Sequence, residues 1–216
     1  MNVADDIKYK ILRQRLVEQL QEKFCFDERV LAVIGKIPRE LFVATELRHL
    51  AYEDRPLPIA AEQTISQPFT VAMQTQLLEV KKWDKVLEIG TGCGYQTAIL
   101  AELGAKVFSI ERQRELYTQA QSLLWKLHYH VILFHGDGYA GQPAYAPFQK
   151  IIVTCGAPSV PQKLLEQLAV GGRMVIPVGA DGQTMQLIER ISETEYRTTQ
   201  HGSYSFVPML EGTAIE

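Results

Sequence analysis

The chain has 216 residues, 46% of them hydrophobic, enough for one full core or a core with a small appendage. Its 22 Lys and Arg against 25 Asp and Glu leave a net charge of −3, without the clustered positive charge that electrostatic binding of nucleic acid requires. No run approaches the ~18 apolar residues of a membrane-spanning helix. The polar start MNVADDIKYK and three cysteines with no CxxC pair set the expectation of a reduced, cytoplasmic setting.

Ile7, Ile11, Leu12, Leu16 and Leu20 recur at helical spacing and predict an amphipathic N-terminal helix. Asp27 is placed to cap a second, short helix carrying Val30, Leu31 and Val33. The pattern breaks and restarts at Pro38 in KIPRELFV. From Ala51 to Pro68 no period holds and Pro56, Pro58 and Pro68 punctuate the run, so an irregular loop is expected. Helical spacing resumes at Phe69, Met73, Leu77 and Leu78. After Trp83 the pattern changes to short apolar runs: KVLEIG, KVFSIE, VILFHGD, KIIVTCG and RMVIPVG. Continuous Val/Ile/Leu runs are what parallel strands covered on both faces require. Helical stretches at Tyr95–Leu103, Glu115–Leu127 and Pro161–Leu168 lie between them. The alternation predicts an α/β fold with a doubly wound, mostly parallel, Rossmann-like sheet. QTMQLIERI and GSYSFVPML then read as closing antiparallel strands. The chain reads as a single domain over 1–216, with a helical N-terminal extension (1–80) and a cofactor-binding core (81–216).

VLEIGTGCGYQTAIL sets Gly90, Gly92 and Gly94 between the first core strand and its helix, where a ligand can approach the backbone and the free N–H groups of the helix start. Glu111 ends the next strand ~20 residues on, where a carboxylate accepts from ribose hydroxyls. Asp137 ends the third, in FHGDGY, within reach of an adenine amino group. No Lys-Ser/Thr follows the glycines, so this is no phosphate-cradling P-loop. A nucleoside without a pyrophosphate fits, S-adenosyl-L-methionine being the obvious one.

EDRPLPIAAEQTISQPFTVAMQTQLLE, followed by the glycine loop, VFSIER, GDGYAG and KIIVTCGAPSVPQKLLEQLAVGGRMVIPVG, resembles the protein-L-isoaspartate O-methyltransferases from IPRELFV to FVPML. QTISQP is the most specific block. The resemblance implies a class I S-adenosylmethionine-dependent transferase that methylates the free carboxylate of L-isoaspartyl residues in damaged proteins and peptides, the first step of their repair. It makes Ser66 the catalytic residue, with Thr64, Ile65 and Gln67 on the substrate side. It places the cofactor on Glu88, Gly90, Thr91, Gly92, Gly94, Tyr95, Gln96, Glu111, Asp137, Gly138 and Thr154. A different carboxylate or small-molecule acceptor, or a cofactor-binding module without turnover, would be built on the same residues. Nothing in the chain sets an oligomeric state.

Four positions depart from the family pattern: Ala60 and Glu62 stand where relatives carry glycines, Gln149 replaces an aspartate, and Ser205 an arginine. If those glycines have positive φ, strain is expected at Ala60 and Glu62. Glu62 also brings negative charge toward a carboxylate site. His128, His130 and His135 lie close in sequence, but no Cys or carboxylate completes a metal-ligand set. Cys93 and Cys155 read as small buried residues rather than nucleophiles, and Trp125 and Phe148 as packing residues.

Overall fold

A computed structural model describes residues 3–214 of the chain. Helix α1 (Val3–Lys23) packs on α2 (Glu28–Lys36), whose N-terminus Asp27 caps by accepting from the Arg29 N–H at 2.7 Å. The buried face of α1 is Arg13, Leu16, Val17 and Leu20. Ile7 and Ile11 share the predicted stripe but stand largely in solvent, because the apolar cluster beneath α1 begins at Tyr9 and Leu12. Two 3-10 turns, Arg39–Phe42 and Thr45–Leu50, lead into a two-stranded ribbon. In it β1 (Leu57–Pro58) pairs antiparallel with β2 (Thr64–Ile65), Leu57 opposite Ile65. The sequence had predicted an irregular loop here; two-residue strands are too short for a period to register.

Helix α3 (Pro68–Leu78) starts on a proline, whose missing N–H has no helical partner to lose there. It packs against α2 and the central sheet and so is buried around most of its circumference. The core follows as β3 (Lys85–Ile89), α4 (Tyr95–Glu102), β4 (Lys106–Glu111), α5 (Arg114–Lys126), β5 (Ile132–His135) and β6 (Phe148–Val153). It closes with α6 (Gln162–Gln167), β7 (Leu168–Val178), β8 (Gln183–Arg190) and β9 (Tyr196–Tyr204). The sheet order is β5-β4-β3-β6-β7-β8-β9, parallel through β7 and antiparallel at β8 and β9. Strand order reverses between β3 and β6, and the crevice beyond their carboxyl ends is where open α/β sheets bind ligands.

One apolar cluster joins Leu16 and Leu20 of α1 to Val86 and Ile99 of the core, and a second, including Leu87, Ile151 and Leu164, fills the opposite face. Two expectations are corrected. The last strand is Tyr196–Tyr204 rather than the run from Gly202 to Leu210. Beyond Tyr204 the chain leaves the edge and turns back over the sheet: the Phe206 N–H donates to Gln183 Oε1, and Pro208 bridges to Gly156. Trp125, expected to pack, is 77% exposed, because the buried face of α5 is Leu116, Ala120 and Leu124 and the next position points away. Phe148 is fully buried, as expected.

Candidate active site

The turn after β3 is fastened to the end of β4. The Gly90 and Thr91 N–H groups donate to the Ile110 carbonyl at 2.9 and 3.3 Å, and Thr91 Oγ1 and Ser109 Oγ share a hydrogen bond of 2.6 Å. Gly90 has φ of 94°, and a Cβ there would come within 2.5 Å of Thr154 Oγ1, so the strand-to-loop turn admits no side chain. Thr154, just past β6, donates to the carbonyl of Gly90 at 2.6 Å and thereby joins the two strands that flank the crevice.

Glu111 is almost fully buried at the end of β4. Its Oε2 accepts from the Gly92 N–H at 2.8 Å and its Oε1 from the Gln113 N–H at 2.9 Å. Each carboxylate oxygen offers about two acceptor directions, so both oxygens are held in place with capacity left for ligand hydroxyls. Gly138 presses so close to β3 that an added Cβ would lie 2.4 Å from Ile89 Cγ2.

A cleft runs between these groups. Its walls include Gly90, Thr91, Gly92, Tyr95, Gln96, Glu111, Gly138 and Thr154 on the core side and Thr64, Ile65 and Ser66 on the other. An open groove of ≈ 600 Å³ lies beside it, lined by Gln67, Thr70 and the segment from Gly202 to Val207, Ser205 included. Thr64, Ser66, Thr154 and Val207 line both spaces. The junction between cleft and groove is therefore lined by four small side chains, three of them hydroxyl-bearing.

Four predicted site residues do not line the cleft. Gln67 faces the groove instead. Gly94 has φ of 89° at the start of α4 and packs against Leu124. Asp137 is half-buried at the strand end and accepts from the Tyr139 N–H at 2.9 Å, which leaves its neighbour Gly138 on the wall. Glu88 is wholly buried under the loop, where Thr97 Oγ1 donates to it at 2.5 Å. Burial raises its pKa to about 7, against the lowering effect of the Ser109 and Thr97 hydroxyls and with a further push from Glu111.

The left-handed residues of the β1–β2 turn are Ala61 and Glu62, with φ of 54° and 55°. The strain expected at Glu62 is there, while that expected at Ala60 falls on Ala61 instead. Glu62 is exposed and lines neither cleft nor groove. Gln149 accepts from the Lys85 N–H at 2.8 Å, at the far end of β3 from the cleft. Cys93 and Cys155 are only partly buried and line the cleft, with thiol pKa values pushed up by desolvation to about 11 and about 12, so neither is a ready thiolate.

Sequence reasoning missed the roof of the cleft, Val207 to Leu210. Gly156 and this segment exchange backbone bonds of 2.8 Å, Gly156 N–H to Val207 and Met209 N–H to Gly156. The Ala214 N–H then donates to the Arg112 carbonyl at 3.0 Å. The FVPML run reads locally as a strand, and only its return across the sheet puts it over the cleft.

Residues 11–214 match the sequence model of the protein-L-isoaspartate(D-aspartate) O-methyltransferase family. A protein-L-isoaspartate O-methyltransferase of Christiangramia forsetii is 57% identical over 210 residues, 97% of this chain and 99% of the relative. One of Flavobacterium psychrophilum is 53% identical over the same shares. Among solved structures, a protein-L-isoaspartate O-methyltransferase superposes with a TM-score of 0.83 at 28% identity, over 91% of this chain and 65% of that one. A Plasmodium falciparum beta-aspartate methyltransferase in complex with S-adenosyl-L-homocysteine shares the fold, with a TM-score of 0.81 at 21% identity over 92% of this chain and 98% of that one.

Proposed function

The chain belongs to the protein-L-isoaspartate(D-aspartate) O-methyltransferase family, and from that premise we propose how its site works. It methylates the free carboxylate of L-isoaspartyl residues in damaged proteins and peptides, with S-adenosyl-L-methionine as methyl donor. The observation that carries this reading is the junction of cleft and groove at Thr64, Ser66 and Thr154. A donor held in one space and an acceptor lying in the other would meet there.

The cleft suits the donor. Glu111 is oriented by two backbone N–H groups to accept ribose hydroxyls, and Gly90 and Gly138 are bare where a side chain would collide with the wall. Ile110 and Leu116 supply apolar surface for a flat ring. When bound, S-adenosylmethionine supplies a methyl group already activated by the sulfonium charge. The acceptor carboxylate is ionised at pH 7, its ordinary pKa lying near 4, so no general base is needed. What remains for the protein is alignment and exclusion of water, which in well-oriented systems lowers a barrier by roughly 7–11 kcal/mol. We assign Ser66 to this task as a hydrogen-bond donor to the acceptor, with Thr64 and Gln67 beside it. The following backbone amide nitrogen then attacks the ester carbonyl and displaces methanol without assistance, and hydrolysis of the resulting succinimide by water returns part of it as normal aspartate.

Among the described residues no helix is long and apolar enough to cross a membrane. Free cysteines support a reducing, cytoplasmic setting, and the net charge of −3 speaks against a nucleic-acid partner. The deciding experiment offers labelled S-adenosylmethionine and two matched peptides, one isoaspartyl and one aspartyl. Labelling of the isoaspartyl peptide alone is expected. Labelling of neither, with cofactor binding intact, would overturn the assignment.

A further inference from the structure

Arg39 is the largest of the fully buried side chains, and the site described above makes no use of it. It sits in the PRELF turn between α2 and the β1–β2 ribbon. Its Nε donates to the Ala51 carbonyl at 2.9 Å and its Nη2 to the Ser66 carbonyl at 2.8 Å. The guanidinium carbon lies 4.8 Å from the centroid of the Tyr95 ring, which is itself buried and lines the cleft. Nη1 makes no well-aligned hydrogen bond, the Tyr95 hydroxyl being the polar group that interacts with the guanidinium. The adjacent carboxylate, Glu40, is engaged elsewhere, by the Tyr52 hydroxyl and by Arg13 Nη2 at 3.6 Å. Among the described residues no carboxylate forms an ion pair with Arg39.

A buried guanidinium without a counter-charge is an expensive way to fill space, and an apolar side chain of similar size would fill it with less desolvation. The planar fork does something no apolar group does: it ties two carbonyls from separate segments to one rigid plane, and that plane rests on an aromatic face. One of those carbonyls belongs to Ser66, at the junction of cleft and groove. The other anchor, Tyr95, opens the helix that follows the glycine loop.

We propose that Arg39 is a positioning residue for methyl transfer, holding the Ser66 backbone at a set distance from the Tyr95 wall of the cleft. It touches neither donor nor acceptor. It acts by fixing the loop, and the inference rests on the reading of Ser66 as the acceptor-orienting residue. Loss of the fork lets Ser66 drift relative to the glycine loop, and displacements of about 1 Å cost up to ~100-fold in rate.

The test uses the full chain, wild type, Arg39→Lys and Arg39→Met. Lys keeps the charge but cannot bond both carbonyls in one plane; Met keeps the bulk and removes the buried charge. Each is measured for folding, for S-adenosyl-L-homocysteine binding by calorimetry, for kcat and KM on an isoaspartyl peptide, and for amide hydrogen exchange in residues 63–67. A wild-type chain that does not methylate this peptide refutes the functional reading itself, before any variant is compared. With an active wild type, at least one variant is expected to fold and bind S-adenosyl-L-homocysteine within about threefold of wild type. Its kcat is expected to fall roughly 10- to 100-fold, with faster exchange confined to 63–67. Folded variants with kcat within about threefold of wild type would overturn the proposal. So would cofactor binding and kcat falling together, or failure of both variants to fold, since either makes Arg39 a general core residue.

Discussion

At the scale of single residues, burial and close approach decide what each position does. Ser66 is half-buried at the junction of cleft and groove, and its role as an orienting donor predicts that Ser66→Ala lowers kcat roughly 10- to 100-fold, cofactor affinity being unchanged. Full turnover on an isoaspartyl peptide would remove it from the mechanism. Gly138→Ala would force a methyl group against Ile89 Cγ2, at a cost of about 1–3 kcal/mol in stability together with weaker cofactor binding, both readable by denaturation and calorimetry. Glu88 shows that a residue inside a motif need not line the cleft. Its carboxyl has a folded pKa of about 7, above its ordinary 4.5. The folded state thus binds the proton more tightly than the unfolded chain between these values, so stability is lost as pH rises from about 4.5 through 7. In the ligand-free protein, Glu88→Gln is expected to be more stable than wild type at pH 8 by up to about 3 kcal/mol. The gain should disappear near pH 4.5, as followed by thermal melts across pH. A gain that does not change with pH would contradict the buried, proton-holding role.

At the scale of elements, the regular pieces follow from local chemistry that a reader of the chain can see. Asp27 stops the backbone before α2 and satisfies the Arg29 N–H, while its own N–H donates to Gln76 Oε1 of α3 at 2.7 Å. Asp27→Ala is expected to cost about 1 kcal/mol, measured as a lower urea midpoint with the slope of the transition unchanged. The five parallel strands were legible because their short apolar runs, bounded by turn residues and alternating with helical spacing, have the length and Val/Ile/Leu content of strands. The β1–β2 ribbon was not, since a pair of residues per strand carries no period. The last strand differs from the sequence expectation because Tyr196–Tyr204 is an edge strand, exposed along much of its length, whereas the apolar FVPML segment is held by backbone bonds to Gly156 and buries Met209 while Pro208 and Leu210 stay exposed.

At the scale of the whole molecule, the helical extension and the sheet share one apolar cluster, through Leu16 and Leu20 on one side and Val86 and Ile99 on the other. We therefore expect one cooperative thermal transition, the behaviour of a single domain. Saturation with S-adenosyl-L-homocysteine at about 100 times its dissociation constant should add about 2.7 kcal/mol and raise Tm by about 5–10 °C. Two separated transitions, only one of them responding to the ligand, would show that the extension folds apart from the core. The same packing sets Gln63 to Ser66 of the extension across the cleft from the glycine loop of the core, so the proposed acceptor side lies on one and the proposed donor side on the other. Catalysis accordingly depends on how firmly the two are joined, which is the work assigned to Arg39.

By itself the sequence determined the alternating α/β order, the glycine loop and the place of Glu111 at a strand end, because each is written in contiguous residues whose spacing or bareness can be read directly, while the QTISQP block was legible through its resemblance to the family. Tertiary structure alone decided that Glu88 and Gly94 stand off the cleft, that Val207 to Leu210 roof it, and that Arg39 reaches Ser66 across 27 positions of chain. Those outcomes depend on which distant surfaces meet after the sheet has formed. A buried guanidinium and an exposed one read identically as a letter in PRELF, and only the packing around Tyr95 tells them apart.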